Sequence, residues 1–73
     1  MRTSYEERIA DIKETLRRLA RPATVAELYD ELRTDERFGT PRRIGATFRW
    51  DKRQRHPVFV REGKDRIALR ESL

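Results

Sequence analysis

The chain has 73 residues and a mass of 8.8 kDa, which suits one small domain and leaves little room for an elaborate active site. It contains no cysteine, so disulfides, thiolate metal sites and cysteine nucleophiles are excluded. Charged residues make up 42% of the chain, and Leu, Ile, Val and Phe together account for 16 of its 73 residues. The share of these four apolar residues lies just above the level of about 20% below which chains usually stay disordered. Because the chain has no disulfides, the stability of its fold must come from packing alone.

The net charge of +5 is unevenly distributed along the chain. Residues 1–36 contain 7 basic and 9 acidic side chains, whereas residues 37–73 contain 11 basic and 4 acidic ones. A strongly basic half is typical of nucleic-acid binding, although an anionic membrane surface or an acidic protein would also be attracted to it.

The first predicted helix covers residues about 4–20. Ser4 and Glu7 have the spacing of a capping box, in which each side chain accepts a hydrogen bond from the other residue's backbone amide. Apolar residues then recur at helical spacing and form one stripe: Tyr5, Ile9, Ile12, Leu16 and Leu19. Pro22 lacks an amide hydrogen and prevents the helix from continuing.

The second predicted helix covers residues about 24–33. Thr24 and Glu27 repeat the capping-box spacing, and an apolar stripe follows: Val25, Leu28, Tyr29 and Leu32. Residues 33–39 show no periodicity, and we interpret them as a turn in which Phe38 packs into the core.

The third predicted helix covers residues about 41–55. Thr40 is the expected N-cap, and Pro41 is suited to the first helical position because an amide hydrogen is not needed there. The helix should end before His56, which precedes Pro57 and is therefore disfavoured in the helical region.

Two sides of this third helix differ in character at about 100° per residue. One side carries Ile44, Phe48 and Asp51, and we expect it to face the core with Phe48 at its centre. The other side is polar and cationic, and it consists of Arg42, Ala46, Arg49 and Arg53. Gly45 is expected to allow close packing against another helix, at a propensity cost of about 1 kcal/mol.

The last part of the chain, residues about 58–70, is predicted to form a β-hairpin. Two short runs rich in β-branched residues flank the turn formers Gly63, Lys64 and Asp65. The predicted fold class is therefore α+β and mostly helical, with three helices followed by a hairpin.

This order of elements is the plan of a winged helix-turn-helix domain that binds double-stranded DNA. In that arrangement the third helix enters a major groove about 12 Å wide, and small Ala46 permits close approach. Arg42, Arg49 and Arg53 are candidates for guanine edges or flanking phosphates, and Arg43 for a phosphate. Lys64 and Arg66 would form the wing tip on the adjacent backbone or minor groove.

The segment 40–51 (TPRRIGATFRWD), followed by segments 57–61 (PVFVR) and 67–71 (IALRE), resembles the HARE-HTH family of winged helices. The likeness extends over residues 5–71, while the arginine-dense third helix and Trp50 depart from the family's pattern. Members occur in restriction endonucleases, in chromatin-associated proteins and as the delta subunit of bacterial RNA polymerase. The resemblance implies DNA binding, which in some members is thought to sense DNA modification, or, as in the delta subunit, contact with polymerase.

A second hypothesis therefore stays open, in which the domain docks on RNA polymerase or another transcription protein. Its contact surface would be the acidic first half of the chain: Glu6, Glu7, Asp11, Glu14, Glu27, Asp30 and Glu31. Double-stranded RNA is disfavoured as a partner because the major groove of an A-form helix is too narrow for an α-helix. The sequence does not determine the oligomeric state.

The remaining polar residues do not indicate catalysis, and we expect no enzyme activity, no cofactor and no metal. His56 is expected to be solvated or to cap the helix end, and Asp51 to pair with an arginine or cap a backbone amide. Trp50 is expected to pack against the second helix or the hairpin. The longest apolar run is Val58 to Val60 and no signal pattern is visible, so we expect a cytoplasmic protein that does not insert into membranes.

Overall fold

The structure is a computed structural model that describes residues 4–34, 38 and 40–72. Within these residues the fold is α+β and mostly helical, with three α-helices and a three-stranded antiparallel sheet. The elements are α1 (Ser4–Leu19), β1 (Ala23–Thr24), α2 (Val25–Leu32), α3 (Pro41–Lys52), β2 (Phe59–Glu62), β3 (Arg66–Leu69) and a 3₁₀ turn at Arg70–Ser72. None of these helices is long and apolar enough to cross a membrane.

Helix α1 buries the middle of its predicted apolar stripe. Ile9, Ile12 and Leu16 are buried in the core, while Tyr5 and Leu19 at the two ends of the stripe are partly buried. The helix ends at Ala20, whose φ of +57° is left-handed and whose amide donates to the Leu16 carbonyl over 2.9 Å. A left-handed residue after the last turn is a common helix terminator, but glycine usually occupies it because it has no Cβ.

A short strand between α1 and α2 was not predicted. Ala23 and Thr24 form β1, which pairs antiparallel with β3, so that Ala23 lies opposite Ile67 and Thr24 opposite Arg66. The strand order is β1-β3-β2. Two residues are too few to show strand periodicity, and their partner lies more than forty positions away in the sequence. The hairpin is thereby fixed to the start of α2.

The capping box predicted at Thr24 is confirmed. Thr24 Oγ1 accepts from the Glu27 amide over 3.1 Å, and Glu27 Oε1 accepts from the Thr24 amide over 3.1 Å. Leu28 and Leu32 of α2 are buried. The predicted packing of Phe38 into the core is confirmed too, since its side chain is fully buried; the rest of that loop, residues 35–37 and 39, lies outside the described residues.

Helix α3 starts as predicted but without the predicted side-chain cap. Thr40 has extended backbone angles and Pro41 takes the first helical position, yet the Thr40 hydroxyl makes no capping hydrogen bond to a described residue. Its carbonyl instead accepts from the Arg43 amide over 3.1 Å. The helix ends at Lys52, three residues before the predicted end, because the chain turns there to bring β2 back onto α3.

The side of α3 that faces the core contains Ile44 and Asp51 as predicted, but its third buried residue is Thr47 instead of Phe48. Ile44, Thr47 and Asp51 are buried, whereas Phe48 is only partly buried and contacts the ring of Phe59 edge-on, with 5.1 Å between centroids. The expectation that Phe48 lies at the centre is therefore wrong. Burial of Thr47 is tolerated because its hydroxyl donates to the Arg43 carbonyl over 2.8 Å, so the hydroxyl keeps a hydrogen-bond partner inside the fold.

The predicted hairpin is present as β2 and β3. Phe59 lies opposite Leu69 and Arg61 opposite Ile67, so these four residues share the sheet face that contributes to the core. Gly63, at the start of the turn, has a φ of +72°, which L-residues other than glycine rarely adopt.

Candidate nucleic-acid interface

The outer stripe of α3, defined as Arg42, Ala46, Arg49 and Arg53, lies opposite the buried side of the helix. Its three arginines are exposed and Ala46 is half-buried. They are separated by about half a turn from Ile44, Thr47 and Asp51 at 100° per residue. The arrangement presents three guanidinium groups on one side, supported from behind by a packed core: Arg42 and Arg49 lie within α3, and Arg53 is the C-cap residue directly after Lys52.

Two arginines of this helix differ in their surroundings. The Arg49 side chain lies back along the helix, with Nη1 3.6 Å from where a Cβ at Gly45 would lie. No atom of another described element lies within 4 Å of that position, so Gly45 does not serve the close helix packing that we expected of it. Arg43 is exposed as well, beside the outer stripe, and its carbonyl accepts the Thr47 hydroxyl.

Trp50 packs against α1 through a contact that was not predicted. Its ring is stacked on Tyr5, with 5.1 Å between centroids and 5° between planes. The guanidinium of Arg8 lies over the ring of Tyr5, 4.6 Å from its centroid. The contact joins the start of α1 to one flank of α3, and the sequence pattern missed it because it joins residues 45 positions apart.

Asp51 fixes the hairpin to α3. Its carboxylate is buried and accepts three hydrogen bonds, two from the Val58 amide at 3.0 and 3.2 Å and one from the Phe59 amide at 3.1 Å. The prediction that Asp51 caps a backbone amide is confirmed. Val58 comes directly before β2 and Phe59 is its first residue, so this one carboxylate determines where the hairpin leaves the helix.

The two predicted wing residues lie in different surroundings. Lys64 is exposed in the turn between β2 and β3. Arg66 is exposed too, but it lies opposite Glu62 on β2 and Thr24 on β1, on the sheet face away from Ile67. The two residues therefore differ in position: Arg66 lies directly across the ladder from an acidic residue, whereas Lys64 lies in the turn outside the ladder.

Three further cations were not predicted, and all of them border a groove between α3 and β2. The groove has a volume of about 390 Å³, and its cationic lining comprises Arg49, Lys52, Arg61 and Arg70. One signal in the sequence could have found Arg61: strand alternation places it on the same face as Phe59. Lys52 and Arg70 carry no such signal, since their position depends on how α3 packs against the sheet.

Two acidic side chains of α2, Glu27 and Glu31, are engaged with arginines. Arg18 contacts Glu31 over 3.0 Å, and Arg21 contacts Glu27. The hydrogen bond from Arg21 is the main reason why the pKa of Glu27 falls from an ordinary 4.5 to about 2. By contrast, Arg42, Arg49 and Arg53 make no ion pair with a described residue.

A second carboxylate, that of Glu71 in the 3₁₀ turn, is bound by basic side chains of α1. Glu71 Oε1 accepts from Nε and Nη2 of Arg17 at 2.9 and 2.7 Å, and Lys13 lies 3.6 Å from Oε2. The Arg17 hydrogen bonds are the main cause that lowers the pKa of the Glu71 carboxyl. His56 is exposed, and no group of three or more metal-binding side chains occurs in the part of the chain that the structure describes.

Comparisons of the chain with protein-family models, with curated proteins and with solved structures find no match. The likeness to the HARE-HTH family thus rests on the three sequence segments alone.

Proposed function

We propose that the chain is a winged-helix module that binds double-stranded DNA, as a small regulator of transcription or of another DNA transaction. The order of elements supports a winged helix: β1 lies between α1 and α2, α3 comes directly before the hairpin, and β3 is the central strand. In this proposal α3 enters the major groove and the hairpin contacts the backbone.

The observation that carries the proposal is the outer stripe. Its arginines project from a helix whose opposite side is fully buried, so the helix is held rigidly while the guanidinium groups stay available. Arginine presents a planar fork that matches the two acceptors of guanine and the oxygens of a phosphate. Ala46, between the arginines, lets the helix approach the base edges closely.

Phosphate contacts come from the flanks of the same surface. Arg43 lies beside the outer stripe, and Lys64 and Arg66 lie in or next to the hairpin turn. Each phosphate that these cations neutralise releases counterions, which lowers the logarithm of the affinity by about 0.9 per tenfold rise in salt. The proposal therefore requires binding that weakens steeply with salt.

Docking on polymerase through the acidic first half is the weaker alternative. Glu27 and Glu31 are occupied by Arg21 and Arg18, which reduces the negative charge that they would offer to a partner. The resemblance to a family that includes a polymerase subunit is what favours this alternative.

One titration series tests the proposal. Labelled duplex DNA, duplex RNA and purified bacterial RNA polymerase are each titrated with the protein at several salt concentrations, with fluorescence anisotropy as the readout. We expect DNA to bind most tightly, with an affinity that falls linearly with the logarithm of salt concentration. Affinity for DNA that does not respond to salt, or binding to polymerase alone, would overturn the proposal.

A further inference from the structure

The groove between α3 and β2 combines an apolar floor with a cationic rim. Its apolar floor is formed by Phe48, Pro57, Phe59 and Ile67. Val60 also borders the groove, but it lies opposite Ala68, so its side chain is on the other face of the sheet from Phe59 and Ile67. Phe48 and Pro57 are only half-buried, so apolar surface stays open to solvent there. With a volume of about 390 Å³, the groove can hold a large side chain and part of the backbone that carries it.

The charges around this floor have one sign. Arg49, Lys52, Arg61 and Arg70 border the groove, and none of them makes an ion pair with a described residue. Asp51 is the one acidic residue among the described residues of the lining, and its carboxylate is already occupied by the amides of Val58 and Phe59. An occupant that complements the groove must therefore bring both apolar surface and negative charge.

We propose that this groove binds an acidic peptide segment of a partner protein, which places an aromatic or branched aliphatic side chain on the floor and carboxylates against the rim. An apolar side chain gains by burial against Phe48 and Pro57, and neighbouring carboxylates gain from the arginines. A phosphodiester would be attracted to the same rim, but it would lose hydration against the phenyl rings without a hydrogen bond from the floor. The chemistry of the floor thus favours a peptide over a nucleic-acid backbone.

The surface differs from the DNA-binding surface proposed above, and the inference does not depend on it. Arg49 is the one residue that belongs to both the outer stripe and the rim. Phe48, Lys52 and Arg61 belong to the groove alone, and variants at Phe48 and Arg61 test it separately.

The probe is a short fluorescein-labelled peptide in which glutamate alternates with phenylalanine and leucine. Two reference peptides replace its apolar residues by serine, or its glutamates by lysine. We expect the acidic apolar peptide to bind roughly tenfold or more tightly than either reference in fluorescence anisotropy, because it alone satisfies both floor and rim. Equal binding of the serine peptide would overturn the proposal, since the floor would then contribute nothing.

Variants locate the binding on the protein. Arg61→Glu reverses a rim charge and Phe48→Ala removes apolar floor, and each should weaken the acidic apolar peptide by roughly three- to tenfold. Arg33→Glu makes the same charge change at an exposed site at the end of α2 and should leave peptide affinity unchanged. Thermal melts confirm that each variant is folded.

The same variants distinguish a peptide site from a nucleic-acid site. Amide chemical shifts of Lys52, Val60 and Arg61 should move on addition of the acidic apolar peptide. If that peptide causes no shifts while Arg61→Glu and Phe48→Ala weaken duplex DNA, the groove is part of a DNA surface and the peptide proposal is wrong. A loss of affinity in Arg33→Glu as large as in Arg61→Glu would also overturn it.

Discussion

The arginines at the end of α1 contact carboxylates, whereas those on the outer face of α3 contact none among the described residues. Arg17 contacts Glu71 and Arg18 contacts Glu31, so the charges of these two arginines are offset within the fold. The outer stripe of α3 has no such partners in the described part of the chain. The comparison shows that arginine content alone says little about binding: a cation is available to a partner only where the fold brings no acid to it.

The largest effect is expected at Asp51, on which the basic half depends for its geometry. Asp51→Ala leaves the amides of Val58 and Phe59 without acceptors and should lower the free energy of unfolding by about 3 kcal/mol. Urea denaturation followed by circular dichroism measures this. Asp51→Asn keeps one acceptor oxygen and should lose less; an Asp51→Ala protein as stable as wild type would show that the hairpin is held in another way.

Replacing an arginine should weaken DNA binding only when that arginine lies in the second half of the chain. If Arg49 contacts a guanine, Arg49→Ala should weaken the best DNA site by about 1–3 kcal/mol and relax the preference at one base pair. Arg17→Ala is the matched control, because Arg17 is exposed but already bound to Glu71. Anisotropy titrations against a panel of duplexes make the comparison, and equal losses in both variants would contradict a specific role for the outer stripe.

The first half of the chain contains a backbone position that glycine would suit better. Ala20 is left-handed, with a φ of +57°, so Ala20→Gly relieves a steric cost and should stabilise the fold by about 1 kcal/mol. A rise in the urea midpoint with an unchanged slope measures this gain. Gly63→Ala is the complementary change, because it introduces the same cost in the hairpin turn, and it should destabilise.

The smallest effect is expected from the ion pair of Glu27. Its pKa is lowered in the folded state, so the pair stabilises the fold fully above pH 4.5 and loses its effect as the pH falls toward about 2. The difference in stability between wild type and Glu27→Gln should therefore shrink over this range, as thermal melts at a series of pH values would show. Arg21→Gln should remove much of the same pH dependence, because Arg21 is its main cause.

Local signals in the sequence predicted most of the helices. The capping box of Thr24 and Glu27, the stripe of Ile9, Ile12 and Leu16, and the burial of Phe38 all follow from spacing or from a lone apolar residue in a polar loop. The exposure of the outer stripe was predictable for the same reason. These features depend on residues within one or two helical turns of each other.

Features that join distant residues were missed or misplaced. The strand β1 exists because Ala23 pairs with Ile67, and Trp50 stacks on Tyr5. In α3, periodicity allowed Phe48 or Thr47 at the centre of the buried side. Only the packing of the helix against its neighbours decided for Thr47, whose hydroxyl bonds within the helix.

The amino-acid sequence by itself determined which segments are helical, where the hairpin turns and which face of α3 is cationic, because capping, periodicity and turn preferences act between near neighbours. The tertiary structure decided how α3 is rotated, what Asp51 holds and which cations border the groove. Each of these depends on the position of one element against another, and that position is set by the summed packing of the whole core rather than by any local pattern.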